Sequence, residues 1–158
     1  MTRTLPRWSA LVVSLFLFLV AATASARSDG RARLQLIWPA DGIVTSGFGE
    51  WRGSSRHEGI DIGMLRSLVV RAAAPGIVRA IGYTDGFEGY GKIVVVDAAG
   101  PYDLVYAHLS GMDVRVGERL RRGEPIGVAG CTGSCSGTHL HFEVQHAGTP
   151  VNPLRFLG

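Results

Sequence analysis

His139-Leu140-His141-Phe142-Glu143-Val144 alternates polar and apolar residues throughout. A strand directs residues i and i+2 to one face. The run therefore predicts a half-buried β-strand, with Leu140, Phe142 and Val144 packed inward and His139, His141 and Glu143 on the opposite face. One histidine on such a face is an ordinary surface or hydrogen-bonded group. Two of them, directly after the glycine-bearing loop Gly130–Gly137, point to a site. Glu143 has two readings here: a carboxylate standing behind a ligand, or a surface charge.

Two further motifs extend the site. Tyr106-Ala107-His108-Leu109 ends a strand candidate, and His57-Glu58-Gly59-Ile60-Asp61 lies upstream. The second resembles the helical zinc signature H-E-x-x-H, which works because residues i and i+4 share a helix face. Gly59, and the alternation of Ile60 and Ile62 with polar residues, predict instead a loop entering a strand, with Glu58 facing solvent. Four of the five histidines thus fall in three short motifs. With Asp61 they supply ligands for one zinc ion and leave two imidazoles for acid–base work. Three protein ligands with an open fourth position make a hydrolytic zinc centre. His146 stands outside every motif and reads as a surface residue. Tyr106 reads as a strand aromatic, while Tyr90 divides evenly between groove-lining and framework.

Outward from these motifs the chain reads as short strands punctuated by glycine. Candidates are Gly42–Ser46, Ser67–Ala72, Gly76–Tyr83, Lys92–Asp97, Asp103–His108, Glu124–Ala129 and His139–Gln145. Most are rich in β-branched residues and bounded by Gly, Pro or Asp. No segment of helical length keeps a 3.6 period, and Gly117 and Gly123 interrupt the one weak helical stretch, Val114–Leu120. The expected fold is all-β: a single compact domain over 37–158, of packed antiparallel sheets or a partly closed barrel.

The first 26 residues read as a secretory signal peptide: Arg3 and Arg7, the apolar run Ala10–Ala22, then Ala24-Ser25-Ala26 as the cleavage site. Cleavage leaves no stable membrane anchor, and residues 27–36 follow as a flexible polar lead. Loss of Arg3 and Arg7 reduces the formal net charge from +3 to +1. With no dense Lys/Arg block, nothing calls for a nucleic-acid partner. The expected product is an exported monomer, periplasmic or extracellular. In such a compartment Cys131 and Cys135 are expected to pair as a disulfide, a local brace across a very short loop.

The combination of motifs carries a resemblance. Ser46-Gly47-Phe48-Gly49, His57-x-Gly59-x-Asp61, Val70-x-Ala72, Gly76-x-Val78, Tyr90-Gly91, Tyr106-x-His108-Leu109-Ser110, Gly123-x-x-Ile126-Gly127, Thr132-Gly133, Gly137-x-His139-Leu140-His141-Phe142-Glu143-Val144 and Val151-Asn152-Pro153 follow one another in order. From Pro39 to Leu157 the chain is similar to the lysostaphin/LytM-type zinc endopeptidases, which cut peptide cross-links in bacterial peptidoglycan. The resemblance implies a compact all-β fold with its site in a groove across the sheet. It implies His57, Asp61 and His141 as zinc ligands, with His108 and His139 unligated and catalytic. Where the family commonly has Ser-Thr-Gly-Pro, this chain has Cys135-Ser136-Gly137-Thr138, leaving the bend to the cysteine pair. Some members have lost ligands and only activate other wall hydrolases, so a non-catalytic module that binds wall or activates an amidase is the alternative. Cross-link specificity is expected in the loops around Thr84–Tyr90 and Gly111–Arg122.

Overall fold

The computed structural model describes residues 34–158, so the signal-peptide reading and most of the lead lie outside the described residues. Eleven strands follow in chain order: β1 Ile43–Ser46, β2 Ile60–Gly63, β3 Val69–Arg71, β4 Gly76–Gly82, β5 Lys92–Asp97, β6 Tyr102–Leu109, β7 Gly111–Met112, β8 Arg119–Leu120, β9 Pro125–Val128, β10 Leu140–His146 and β11 Thr149–Val151. A 3-10 turn, Pro153–Arg155, is the only helical element among the described residues; the Asn152 side chain caps it by accepting from the Leu154 N–H.

The large sheet runs β1-β2-β10-β6-β5-β4-β8, with β11 also paired to β10; the small sheet runs β3-β9-β7. Every strand pair is antiparallel, and the large sheet stays open rather than closing into a barrel. The long central strands β5 and β6 carry β-branched and aromatic residues that suit a pleated surface.

Alternation along the strands separates two buried layers. Ile60, Ile62, Val94, Val96, Leu104, Tyr106, Leu140, Phe142 and Val144 join Val70 and Ile126 of the small sheet in the main core. Ile93, Val95, Val105 and Ala107 form a second cluster with Phe87 and Tyr90 against it. Burial on both faces explains why β5 reads as a continuous apolar run. Tyr106 belongs to the main core, its hydroxyl accepting from the Ala73 N–H at 2.8 Å.

The flexible lead expected over 27–36 does not extend to Leu34. Leu34 and Leu36 are buried, and Leu36 bridges Leu157 in parallel. Their apolar side chains, two residues apart on an extended chain, close the end of the core beside Phe156.

Cys131 and Cys135 face each other with Cα atoms 5.4 Å apart, inside the span a disulfide bridges. Protein taken from an oxidising compartment should gain about 2 Da on reduction, the hydrogens of one bridge. Two free thiols in that material, by mass and thiol titration, would refute the pairing.

Candidate metal centre

Antiparallel pairing sets Asp61 of β2 opposite His141 of β10, which in turn lies opposite Ala107 of β6. These positions share the sheet face away from the main core. His57 arrives from the loop before β2. Gly59 is required between them: a Cβ there would overlap the Phe142 carbonyl oxygen and crowd Glu143 and His141. Its missing side chain lets the loop pass close beneath the site.

Three candidate ligand atoms converge. His57 Nε2 lies 3.0 Å from His141 Nδ1, His141 Nδ1 lies 2.9 Å from Asp61 Oδ1, and His57 Nε2 lies 3.2 Å from Asp61 Oδ1. A tetrahedral zinc with bonds of about 2.0–2.1 Å needs donor separations of about 3.3 Å. All three groups are buried.

The tautomers follow from the partners on the far side of each ring. The Gly47 carbonyl, which can only accept, lies 2.8 Å from His57 Nδ1, so Nδ1 carries the proton and Nε2 the lone pair. Glu143 Oε1 lies 2.9 Å from His141 Nε2, which makes Nδ1 the free atom of that ring. Arg52 Nη2 donates to Asp61 Oδ2 and leaves Oδ1 forward. Three lone pairs therefore meet with no proton between them, an arrangement that suits a cation. The chemistry of the donor set, two imidazoles and a carboxylate, fits zinc.

The other two histidines are held in the same way. His108 Nδ1 donates to the Thr132 carbonyl at 2.8 Å, and His139 Nδ1 to the Gly137 carbonyl at 2.7 Å. Both Nε2 atoms remain free, that of His139 lying 3.7 Å from Asp61 Oδ1. The rings of His108 and His139 are 4.7 Å apart, and His108 is 5.8 Å from His141. His108 adopts φ +61°, unusual for a residue other than glycine. Its N–H donates to the Tyr90 carbonyl, at the irregular pairing of β5 with β6.

Electrostatics agree with this geometry. Burial opposes ionisation of Asp61, but hydrogen bonds from His141, His57 and Arg52 outweigh it and hold the carboxyl far below its usual range. Glu143 shows the same balance: burial raises its pKa, and His141, Tyr90 and Gln145 bring it below normal. Burial alone would favour neutral His141, yet Asp61 and Glu143 raise its affinity for a proton. That negative field is the one a metal ion would feel. His108 is shifted downward, mainly by burial and only partly offset by Thr132. Tyr90 is pushed well above the ordinary phenol range by burial and by Glu143 and Glu58, so it stays a donor.

Of the two readings for Glu143, the structure shows the carboxylate behind a histidine, fully buried. Tyr90 lines the groove, with its hydroxyl on Glu143 and 3.0 Å from Glu58. Glu58 and His146 are exposed. One cavity of about 480 Å³ reaches from His57, His108 and His141 past Tyr90 and Glu88. A second, also about 480 Å³, reaches from Asp61 and His139 past Thr45, Met64 and Thr138. Glu88–Tyr90 represent the expected Thr84–Tyr90 loop, but no residue of Gly111–Arg122 lines either cavity. The hairpin over 47–57 takes that place. Arg52, at its turn, was not selected from the sequence; the turn residues Gly53-Ser54-Ser55 between Trp51 and Arg56, which form a bridge, are the signal that could have found it.

Comparison with known proteins gives the fold a family. The model of peptidase family M23 matches residues 55–153. Lysostaphin, the antimicrobial peptidase from Staphylococcus simulans, superposes with a TM-score of 0.66 at 25% identity, over 80% of this chain and 53% of that one. The murein hydrolase activator NlpD of Salmonella dublin is 38% identical over 120 residues, 76% of this chain and 30% of its own length. The DD-carboxypeptidase/endopeptidase Mpg of Neisseria meningitidis serogroup B is 40% identical over 98 residues, 62% of this chain and 22% of its own. This chain thus spans less than a third of the length of either curated relative. Its architecture is the lysostaphin-type peptidase fold. The chain belongs to peptidase family M23.

Removing the carboxylate behind His141 should weaken metal binding without removing a ligand atom. Glu143→Ala is expected to lower zinc affinity about 10–100-fold, read by competition against a chromophoric chelator. Unchanged affinity would mean that Glu143 does not orient the ring.

Proposed function

We propose that this protein is a zinc-dependent endopeptidase that hydrolyses peptide cross-links of bacterial peptidoglycan, working as an exported monomer in the periplasm or at the cell wall. One observation carries the reading. Five side chains each have one atom tied back by a partner of their own and another left free; the free atoms of His57, Asp61 and His141 converge, and the rings of His108 and His139 lie beside that cluster. In this reading His57, Asp61 and His141 hold one zinc ion, and His108 and His139 are the catalytic residues.

Zinc, when bound, supplies a nucleophile at neutral pH and a Lewis acid for the scissile carbonyl. The chain supplies the proton traffic. A free imidazole Nε2, from His108 or His139, accepts the proton of the attacking water and returns it to the departing amine. The second imidazole, when protonated, donates to the developing oxyanion. The Thr132 and Gly137 carbonyls fix both rings beforehand, so little reorganisation accompanies the reaction.

Ligand and catalyst separate experimentally. His108→Ala and His139→Ala should keep much of their zinc by metal analysis, while hydrolysis falls by roughly two orders of magnitude or more. Loss of zinc from both variants would show that the ligand set has been drawn wrongly.

Likeness to the Salmonella activator favours a second reading, a module that binds the wall or stimulates an amidase. It calls for a lost or covered site, whereas this chain retains all five side chains beside two open cavities. The deciding assay incubates zinc-loaded protein with peptidoglycan of several cross-link types. New amino groups should appear, and a chelator should abolish their release reversibly. Binding or amidase stimulation without cleavage would replace the endopeptidase reading with the activator one.

A further inference from the structure

We propose that Arg52 is a specificity-determining residue of this groove, binding a carboxylate that the substrate peptide carries beside the scissile amide. The inference rests on the peptidase reading for what the groove holds. Its evidence is the position and the unused donors of one guanidinium.

The backbone of Arg52 is fixed. Its N–H donates to the Ser55 carbonyl at 2.8 Å, and the His57 N–H donates to the Glu50 carbonyl at 2.8 Å, closing a hairpin around Gly53 at φ +83°. The same hairpin therefore delivers a metal-site histidine and Arg52 to the groove. Arg52 Nη2 donates to Asp61 Oδ2 and, at 2.8 Å, to Ser46 Oγ. Those two bonds fix the plane of the guanidinium and use both hydrogens of one nitrogen. Nε and Nη1 make no hydrogen bond among the described residues, and the side chain is 42% exposed.

Arg52 itself lines the groove that a substrate would occupy. Arg52 and Ser134 are the two residues that line both cavities, so they stand where the two arms of the groove meet beside the ligand cluster. Two further carboxylates line the groove: Glu58 lies 3.0 Å from the Tyr90 hydroxyl oxygen, and Glu88 accepts from the Gly86 N–H. Neither forms an ion pair with Arg52.

A planar guanidinium with spare N–H groups is matched to a carboxylate, whose two oxygens accept from adjacent donors. Beyond Arg52 and Asp61, the arm past Thr45, Met64, Ser136 and Thr138 carries no formal charge. The groove thus distinguishes a charged position at its centre from an uncharged continuation. Peptides bearing a free carboxylate next to the cleaved bond should be preferred, and an all-glycine linker should be a poor substrate.

The test uses two synthetic branched peptides that differ only in carrying a carboxylate or a carboxamide beside the scissile amide. Zinc-loaded wild-type protein should favour the carboxylate peptide by roughly ten- to a hundredfold in kcat/KM, the range of one hydrogen bond to a charged group. In Arg52→Gln the ratio should fall to about one, with Arg52→Lys in between because it keeps the charge without the fork. Since Arg52 also holds Asp61, both variants could lose zinc or rate; the ratio of two substrates on one protein cancels that loss. Equal rates in the wild type, or a ratio preserved in Arg52→Gln, would overturn the proposal. If wild type cleaves neither peptide, calorimetric binding of the same pair reads the same ratio. Preferential binding lost in Arg52→Gln would then uphold the role of Arg52 while the peptidase reading fails. Equal binding would overturn it.

Discussion

Everything at the candidate metal centre depends on one cross-strand register. Asp61 and His141 are direct partners across β2 and β10, and β10 is pinned on its other side by six successive pairs with β6. A slip of one residue would send His141 and Glu143 into the core and bring Phe142 to the groove. The apolar positions that forbid this slip are Ile60, Ile62, Leu140, Phe142 and Val144, all fully buried. The hydrophobic face of the sheet thus sets the geometry of the polar face, and core packing and ligand spacing are two outcomes of the same alternation.

On that frame the site is organised by what lies behind it. Each imidazole offers one nitrogen to the groove because the other is bound to an acceptor: the carbonyls of Gly47, Thr132 and Gly137, or the carboxylate of Glu143. Three of the four acceptors are backbone atoms. They are positioned by tight turns, including Gly91, where φ is +69° and a Cβ would collide with Thr132. Glycines of this kind act on the chemistry at one remove, by letting a carbonyl approach a ring.

The longer strands, whether alternating or continuously apolar, were legible in the sequence. Lys92–Asp97 is observed with the boundaries expected from its β-branched run, and Asp103–His108 extends by one residue at each end. The short strands Gly111–Met112, Arg119–Leu120 and Thr149–Val151 carry too few residues for a period and exist because a partner edge is present. His57, Asp61, His108, His139 and His141 stood out because imidazole and carboxylate at strand spacing are distinctive. The carbonyls that orient them leave no mark in a sequence, since every residue has one. Arg52 looked like any surface arginine among fifteen in the chain until the hairpin placed it.

The backbone of His108 has a consequence for how such a domain changes over time. A φ of +61° costs a residue with a Cβ of order 1–3 kcal/mol that glycine would not incur. Only glycine sheds the Cβ, so alanine or any other side chain at this position keeps that cost and gives up the Nδ1 hydrogen bond to the Thr132 carbonyl as well. The backbone thus favours glycine here, while the hydrogen bond to Thr132 favours the ring. A lineage released from keeping this imidazole would move to glycine in preference to alanine.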